Sequence, residues 1–424
     1  MKSKRVRAIL VIILVVAISL SVVYVYWQKT ISVDIAGADR EFEPGLTTKQ
    51  KLEDFDYLYN ILMDNFPYFD VEKRKTGYYW PEHKAEFEDM IKNTKNDKEF
   101  YIALEKIIHN VHSGHTKLLS VDGYPYDLYL YSPHNGGKFD KPWYDVLKNS
   151  QKAYEQWGKI LDQPYEEYIP PKEGRKYSSQ VVTNVLEKSK IAYMDIKSFG
   201  QEYMELDNKR IKDFLESVKD YPYLIIDIRG NGGGSTSYWE DNILKYLLNK
   251  HAEYDLYTIY RNGDYIQPFI KARGVGLKVT PMSPSTGINL KNTPPEVKKD
   301  GFGKYVKVKY KFEVREPVGF KGKIFLLVDD GVYSAAEGIT IFCKATGFAT
   351  IVGTNTSGDG IGIDPVLVAL PNSKLIVRFP ISMGLNPYGS SNEEVGTTPD
   401  IYVQPMKSKD AVMEKVLQII DGGE

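Results

Sequence analysis

Apolar positions recur first at helical spacing and later in short continuous runs. Between 47 and 66, Leu52, Phe55, Tyr59, Leu62 and Phe66 fall at steps of three and four, which predicts an amphipathic helix. A second stripe, Phe100, Leu104, Ile107, Ile108 and Val111, predicts a helix over 97–111 that delivers HSGHT into a loop. Residues 121–188 are rich in Tyr, Pro and Lys and show no repeat, so they read as a loop-rich connector with one or two helices. From 189 the texture changes. KIAYMDIKSF and YLIIDIRGNGGG read as strands flanking the helical NKRIKDFLESVKDY, and KIFLLVDD, SAAEGITIFCKATG and FATIVGTNT repeat the strand, helix, strand order. VLVALPNSKLIVRF reads as two strands joined by a Pro-Asn-Ser turn, and DAVMEKVLQII as a closing amphipathic helix. The excursion at 250–318, with its charges and turn residues, predicts hairpins. The expected organisation is an α/β core over 189–424, preceded by a helical N-terminal domain over 29–120 and the connector over 121–188.

The first 28 residues depart from this pattern. MKSKRVR leads into AILVIILVVAISLSVVYVYW, residues 8–27, a charge-free stretch long enough to span a bilayer as a helix. Tyr24, Tyr26 and Trp27 stand where a cleavage site needs small residues and read instead as interfacial anchors. The expectation is an uncleaved signal anchor over 1–28, with the basic flank in the cytoplasm and the rest of the chain outside; cleavage, giving a secreted form, is the alternative. Setting aside Lys2, Lys4, Arg5 and Arg7, the chain is mildly acidic, with 56 Asp and Glu, and it offers no basic footprint for nucleic acid. The single Cys343 lies in an apolar helical stretch and reads as a packing residue. No Cys/His cluster has zinc-ligand spacing, so no metal is expected.

Candidate chemistry begins at DDGVYSAAEGITIF, residues 329–342. Ser334-Ala335-Ala336-Glu337 fits the S-x-x-E capping box of a helix start. It also fits a nucleophile presented between a strand and a helix N-terminus, where the dipole and free N–H groups favour developing negative charge. The two roles are compatible. Upstream, Arg229-Gly230-Asn231-Gly232-Gly233-Gly234 ends a strand with glycines that let backbone N–H groups approach a substrate. It lacks the lysine and spacing of a phosphate-binding loop.

Taken in order and spacing, LIIDIRGNGGG, VYSAAEGITIFCKATGFATIVGTNTSGDG and EEVGTTPDIYV resemble the tail-specific (C-terminal processing) and tricorn-core peptidases over 189–424, and GHT at 114–116 extends the resemblance. It implies a crotonase-like (ClpP-like) α/β peptidase core that acts on a peptide or protein substrate without a cofactor. By that resemblance Ser334 is the nucleophile, and the N–H groups of Ala335 and of Gly232 or Gly233 hold the oxyanion. Tail-specific peptidases carry a catalytic lysine some 25 residues after the serine; here the stretch reads Ser357-Gly358-Asp359-Gly360, which excludes a Ser-Lys dyad. The tricorn-like branch instead uses a histidine, matched by His115, and a glutamate, matched by Glu393. His109 and His112 compete as bases, and Glu394 competes with Glu393. That branch has a serine directly before the histidine, where this chain has Gly114. The relay from Glu393 therefore runs through Ser113, through water or directly. No carboxylate-binding glycine loop of the PDZ kind appears in 121–188, so recognition of a free C-terminus is not implied. Two other classes stay open: a non-catalytic peptide- or lipid-binding protein on the same fold, and a hydrolase acting on esters or cell-wall material.

Overall fold

The computed structural model describes residues 41–133, 140–163, 165–166, 178–274, 279–281, 291–298, 301–406 and 410–422. The expected membrane anchor over 1–28 lies outside the described residues; among those described, no helix is long and apolar enough to cross a membrane.

The first predicted helix forms as α1 (Thr48–Asn65), started by a capping box between Thr47 and Gln50. It is followed by α2 (Phe69–Thr76) and by α3 (Asp97–His109), which Asn96 caps. The loop after α3 runs into a two-residue strand, β1 (Lys117–Leu118). The 121–188 stretch contains a 21-residue helix, α4 (Lys141–Leu161), and ends in β2 (Val181–Glu187).

Next come β3 (Ile191–Ile196), α5 (Met204–Ser217) and β4 (Tyr223–Asp227), then β5 (Ala252–Arg261), β6 (Val279–Pro281) and β7 (Phe302–Phe312). The remaining elements are β8 (Lys323–Val328), α6 (Ala335–Thr346), β9 (Thr350–Gly353), β10 (Val366–Ala369), β11 (Ile376–Phe379), β12 (Ser382–Leu385), α7 (Asn392–Val395), β13 (Ile401–Tyr402) and α8 (Ala411–Ile420).

Six strands form the central sheet in the order β13-β9-β8-β4-β3-β2, parallel except for the antiparallel edge strand β2. Alternate residues of these strands face opposite ways. Met194, Ile226 and Leu326 pack with Ile211 and Leu215 of α5 and Phe342 of α6; Ile225, Phe325 and Leu327 pack with Val412, Val416 and Ile420 of α8. The excursion is a structured layer: β5, β6 and β7 join β12 in a second sheet, ordered β12-β5-β7-β6. The third sheet is β1-β11-β10.

The N-terminal helices share one core with the later strands. Phe55, Leu62, Leu104 and Trp157 belong to the same buried cluster as Val368, Val377 and Phe379. Polar ties reinforce it. Trp143 Nε1 donates to Pro365 O at 2.8 Å, Trp157 Nε1 donates to Ser373 O at 2.9 Å, and the Tyr154 hydroxyl donates to Leu119 O while accepting from Ile376 N, both at 3.0 Å. From α1, fully buried Asp54 accepts Asn372 N at 2.7 Å and Ser373 N at 2.8 Å, closing the β10–β11 turn. Asp54→Ala leaves both N–H groups buried and unpaired. It should lower the unfolding free energy by about 3 kcal/mol in denaturant titration, whereas a loss under about 0.5 kcal/mol would mean that the turn holds without α1.

Candidate active site

Parallel pairing aligns Asp227 of β4 with Leu327 of β8, so the two strands end together and their following loops lie side by side. This is the carboxyl edge of a parallel sheet, where open α/β folds bind ligands. The loop after β8 climbs to Ser334, which adopts φ 57° and ψ −121°, a strained conformation for a residue with a Cβ. Hydrogen bonds hold it there: Tyr333 N donates to Asn231 O at 3.3 Å, Ser334 N to Gly358 O at 3.0 Å, and Gly338 N to Ser334 O at 3.0 Å.

The capping box expected at this helix does not form. At this φ the Ser334 hydroxyl accepts no hydrogen bond from the first turn of α6. Glu337 turns instead into the core, where its Oε1 accepts Asn392 Nδ2 at 2.7 Å and Thr397 Oγ1 at 2.6 Å. Asn392 Oδ1 in turn accepts Gly360 N at 2.8 Å, so Glu337 anchors the 357–360 loop beside the serine. Burial pushes the Glu337 carboxyl up to about 7, against hydrogen bonds that favour its charged form.

The glycine loop packs on the other flank of Ser334. Fully buried Asn231 ties it to β3, donating to Ile196 O at 3.0 Å and accepting Gly233 N at 2.9 Å. A Cβ on Gly233 would meet Tyr333 O at 2.8 Å and Ala335 N at 2.9 Å, and φ there is +102°, so only glycine fits. Of the two expected donors in this loop, Gly233 has its N–H engaged by Asn231. The N–H groups of Gly232 and Ala335 have no partner among the described residues.

His115 reaches the site because β1 pairs with β11, matching Lys117 to Arg378. Its Nδ1 lies 2.5 Å from Asp359 Oδ2, and its ring lies 4.8 Å from that of Tyr333, the residue before Ser334. The carboxylate on His115 is therefore Asp359, and the expected orientation by Glu393 through Ser113 is corrected. Glu393 makes no hydrogen bond to the ring among the described residues; its Oε2 lies 3.4 Å from the Tyr333 hydroxyl. The Ser113 hydroxyl is buried without a partner among the described residues and bridges nothing. Glu394 faces outward in an ion pair with Arg74. His109 and His112 pack near each other, and His112 against Tyr78, away from Ser334.

A family model described as peptidase family S41 matches residues 190–403, half of the chain. The chain belongs to peptidase family S41. It is a serine-type peptidase with the expected α/β fold. Solved structures similar to this S41 peptidase include a candidate peptidase from Parabacteroides merdae, 19% identical over 88% of this chain and 96% of the other, with a TM-score of 0.55. Mature CPAF is similar over 89% of this chain and 96% of its own, at 13% identity and a TM-score of 0.53. At these identities the likeness concerns the fold. No curated protein matches.

Sequence reasoning missed two residues of this S41 peptidase. Asp359 registered only as the absence of a lysine, although an acid 25 positions after the serine was visible. Tyr333 was hidden because nothing in a sequence reports that residue 114 leaves room for a phenol. The Glu337 anchor carries a pH signature. Its folded pKa lies above that of an unfolded glutamate, so this group's contribution is full below about 4.5 and declines as pH rises to about 7, by about 3 kcal/mol. Urea unfolding of Glu337→Gln against wild type should show the variant's relative stability rising over that window; a constant difference would mean that Glu337 titrates normally.

Proposed function

We propose that this serine peptidase hydrolyses peptide bonds through Ser334, His115 and Asp359. The observation that carries the reading is the 2.5 Å contact of His115 Nδ1 with Asp359 Oδ2 beside a serine held at φ 57°. With Nδ1–H donating to Asp359, the ring presents Nε2 as the base. Ser334 Oγ attacks the substrate carbonyl carbon while His115 takes the hydroxyl proton. The carbonyl oxygen becomes an oxyanion facing the N–H groups of Ala335, at the start of α6, and of Gly232, in the glycine loop after β4, neither of which has a partner among the described residues. Collapse breaks the C–N bond, and the departing amine takes the proton from His115. Water, deprotonated by the same ring, then releases the acyl group and restores Ser334.

Labelling of the full chain with a fluorophosphonate tests this. Wild type should be labelled at Ser334, Ser334→Ala should not be labelled, and His115→Ala and Asp359→Asn should react slower by at least about a thousandfold. A folded wild type without label, or an Asp359→Asn variant reacting at the wild-type rate, would remove the triad reading.

The charge-free stretch at 8–27 behind a basic flank supports placing this site outside the cytoplasm on a membrane anchor. Protease added to intact cells should then degrade the domain; protection until lysis would put it inside.

A further inference from the structure

Three polar atoms converge on the Tyr333 hydroxyl: His115 Nδ1 at 3.3 Å, Asp359 Oδ2 at 3.3 Å and Glu393 Oε2 at 3.4 Å. A hydroxyl has one proton to give and lone pairs to receive. The Nδ1–H is engaged by Asp359, so the phenol proton goes to one of the two carboxylates. The space is prepared for this hydroxyl: a Cβ on residue 114 would come within 2.8 Å of Tyr333 Oη and 2.9 Å of Cζ. Gly114 therefore has a steric reason. A side chain there would force the phenol to move from its present place.

Behind the hydroxyl lies a pair of buried acids with one cation. Lys75 Nζ reaches Glu72 Oε1 at 3.3 Å, Glu393 Oε1 at 3.5 Å and Glu393 O at 3.1 Å. Two buried carboxylates sharing one partly exposed ammonium, with Asp359 adjacent, favour keeping one proton on the pair. Burial and the Asp359 charge hold the Glu393 carboxyl well above its ordinary range; burial also raises Glu72. Burial keeps the Tyr333 phenol protonated, so it remains a donor. The other groups facing Asp359 are the Tyr68 hydroxyl, which donates to Ser382 O at 2.9 Å and stands 3.3 Å from Asp359 Oδ1, and buried Glu337. With the proton on Glu393, that acid donates to Tyr333 and Tyr333 donates to Asp359 Oδ2, the oxygen that receives Nδ1–H.

We infer that Tyr333 is a positioning residue whose hydroxyl couples buried Glu393 to the His115–Asp359 pair, in the space that a side chain at residue 114 would otherwise fill. This rests on the triad reading above. As pH rises and the acid pair loses its shared proton, Glu393 competes with Asp359 for the phenol proton, and Asp359 loses a donor.

The test follows two readouts on the full chain: the rate of fluorophosphonate labelling at Ser334 against pH, and the far-downfield proton resonance of His115 Nδ1–H, identified by its loss in His115→Ala. Tyr333→Phe, which keeps the ring, should slow labelling about tenfold and move the resonance. Glu393→Gln, fixed in a neutral donating form, should remove the fall in rate that accompanies loss of the pair's proton as pH rises. In the Tyr333→Phe background, Glu393→Gln should produce no further change in either readout. Tyr333→Phe behaving as wild type in both, or Glu393→Gln acting equally with and without the hydroxyl, would overturn the coupling. A wild type that takes no label while Tyr333→Phe still moves the resonance would instead remove Ser334 as the activated nucleophile of the triad reading and leave the coupling of Glu393 to the His115–Asp359 pair standing.

Discussion

Parallel pairing of β4 with β8 is the constraint on which the site depends. Because the two strands run in the same direction and in register, the glycine loop after one and the serine turn after the other emerge at the same edge, close enough for Tyr333 N to bond Asn231 O. A strained backbone persists only where its surroundings over-determine it. Ser334 is held on one side by the glycine loop and on the other by Gly358. Glu337 and Asn392 hold the 357–360 loop in turn.

The histidine comes from more than two hundred residues upstream, and short-range structure does not position it. Its loop is fixed by two residues of β1 on β11 and by aromatic side chains of α4 whose polar ends reach backbone atoms around β10 and β11. The N-terminal helices thus act as part of the peptidase core. Their burial against β10 and β11 supplies the hydrophobic stabilisation that holds a catalytic loop in place.

Electrostatically the site is crowded with acid. Asp359, Glu393, Glu72 and Glu337 lie close together with Lys75 as the neighbouring cation described at the pair, and burial raises three of these four carboxyls. Such a group is tolerable because its members are hydrogen-bonded and burial favours their protonated forms, which limits the negative charge gathered in a low-dielectric interior. The arrangement also separates roles: Glu337 anchors a loop, the Glu72 and Glu393 pair shares Lys75, and Asp359 faces the imidazole.

The order of strands and helices after residue 189 was legible because each element carries its own period: continuous apolar runs for the central strands and stripes for α5, α6 and α8. The serine, the glycine loop and the histidine could be picked out because each sits in a local motif. One or two helices were expected in 121–188 and two are found among its described residues, but the burial of the longer one, α4, against β10 and β11 was not legible. Its buried face mixes Trp143, Tyr154 and Trp157 with Val146, Leu147 and Leu161, and the polar ends of the aromatic residues find their backbone partners only in the packed fold. Nor was the carboxylate on His115 legible. Sequence supplied Asp359, Glu393 and Ser113 as residue types, but which of them meets the ring depends on contacts between segments 244 residues apart. Hydrophobic periodicity is a local property and is written in the chain, whereas the choice of hydrogen-bond partner among several buried acids is made only when the loops are packed together.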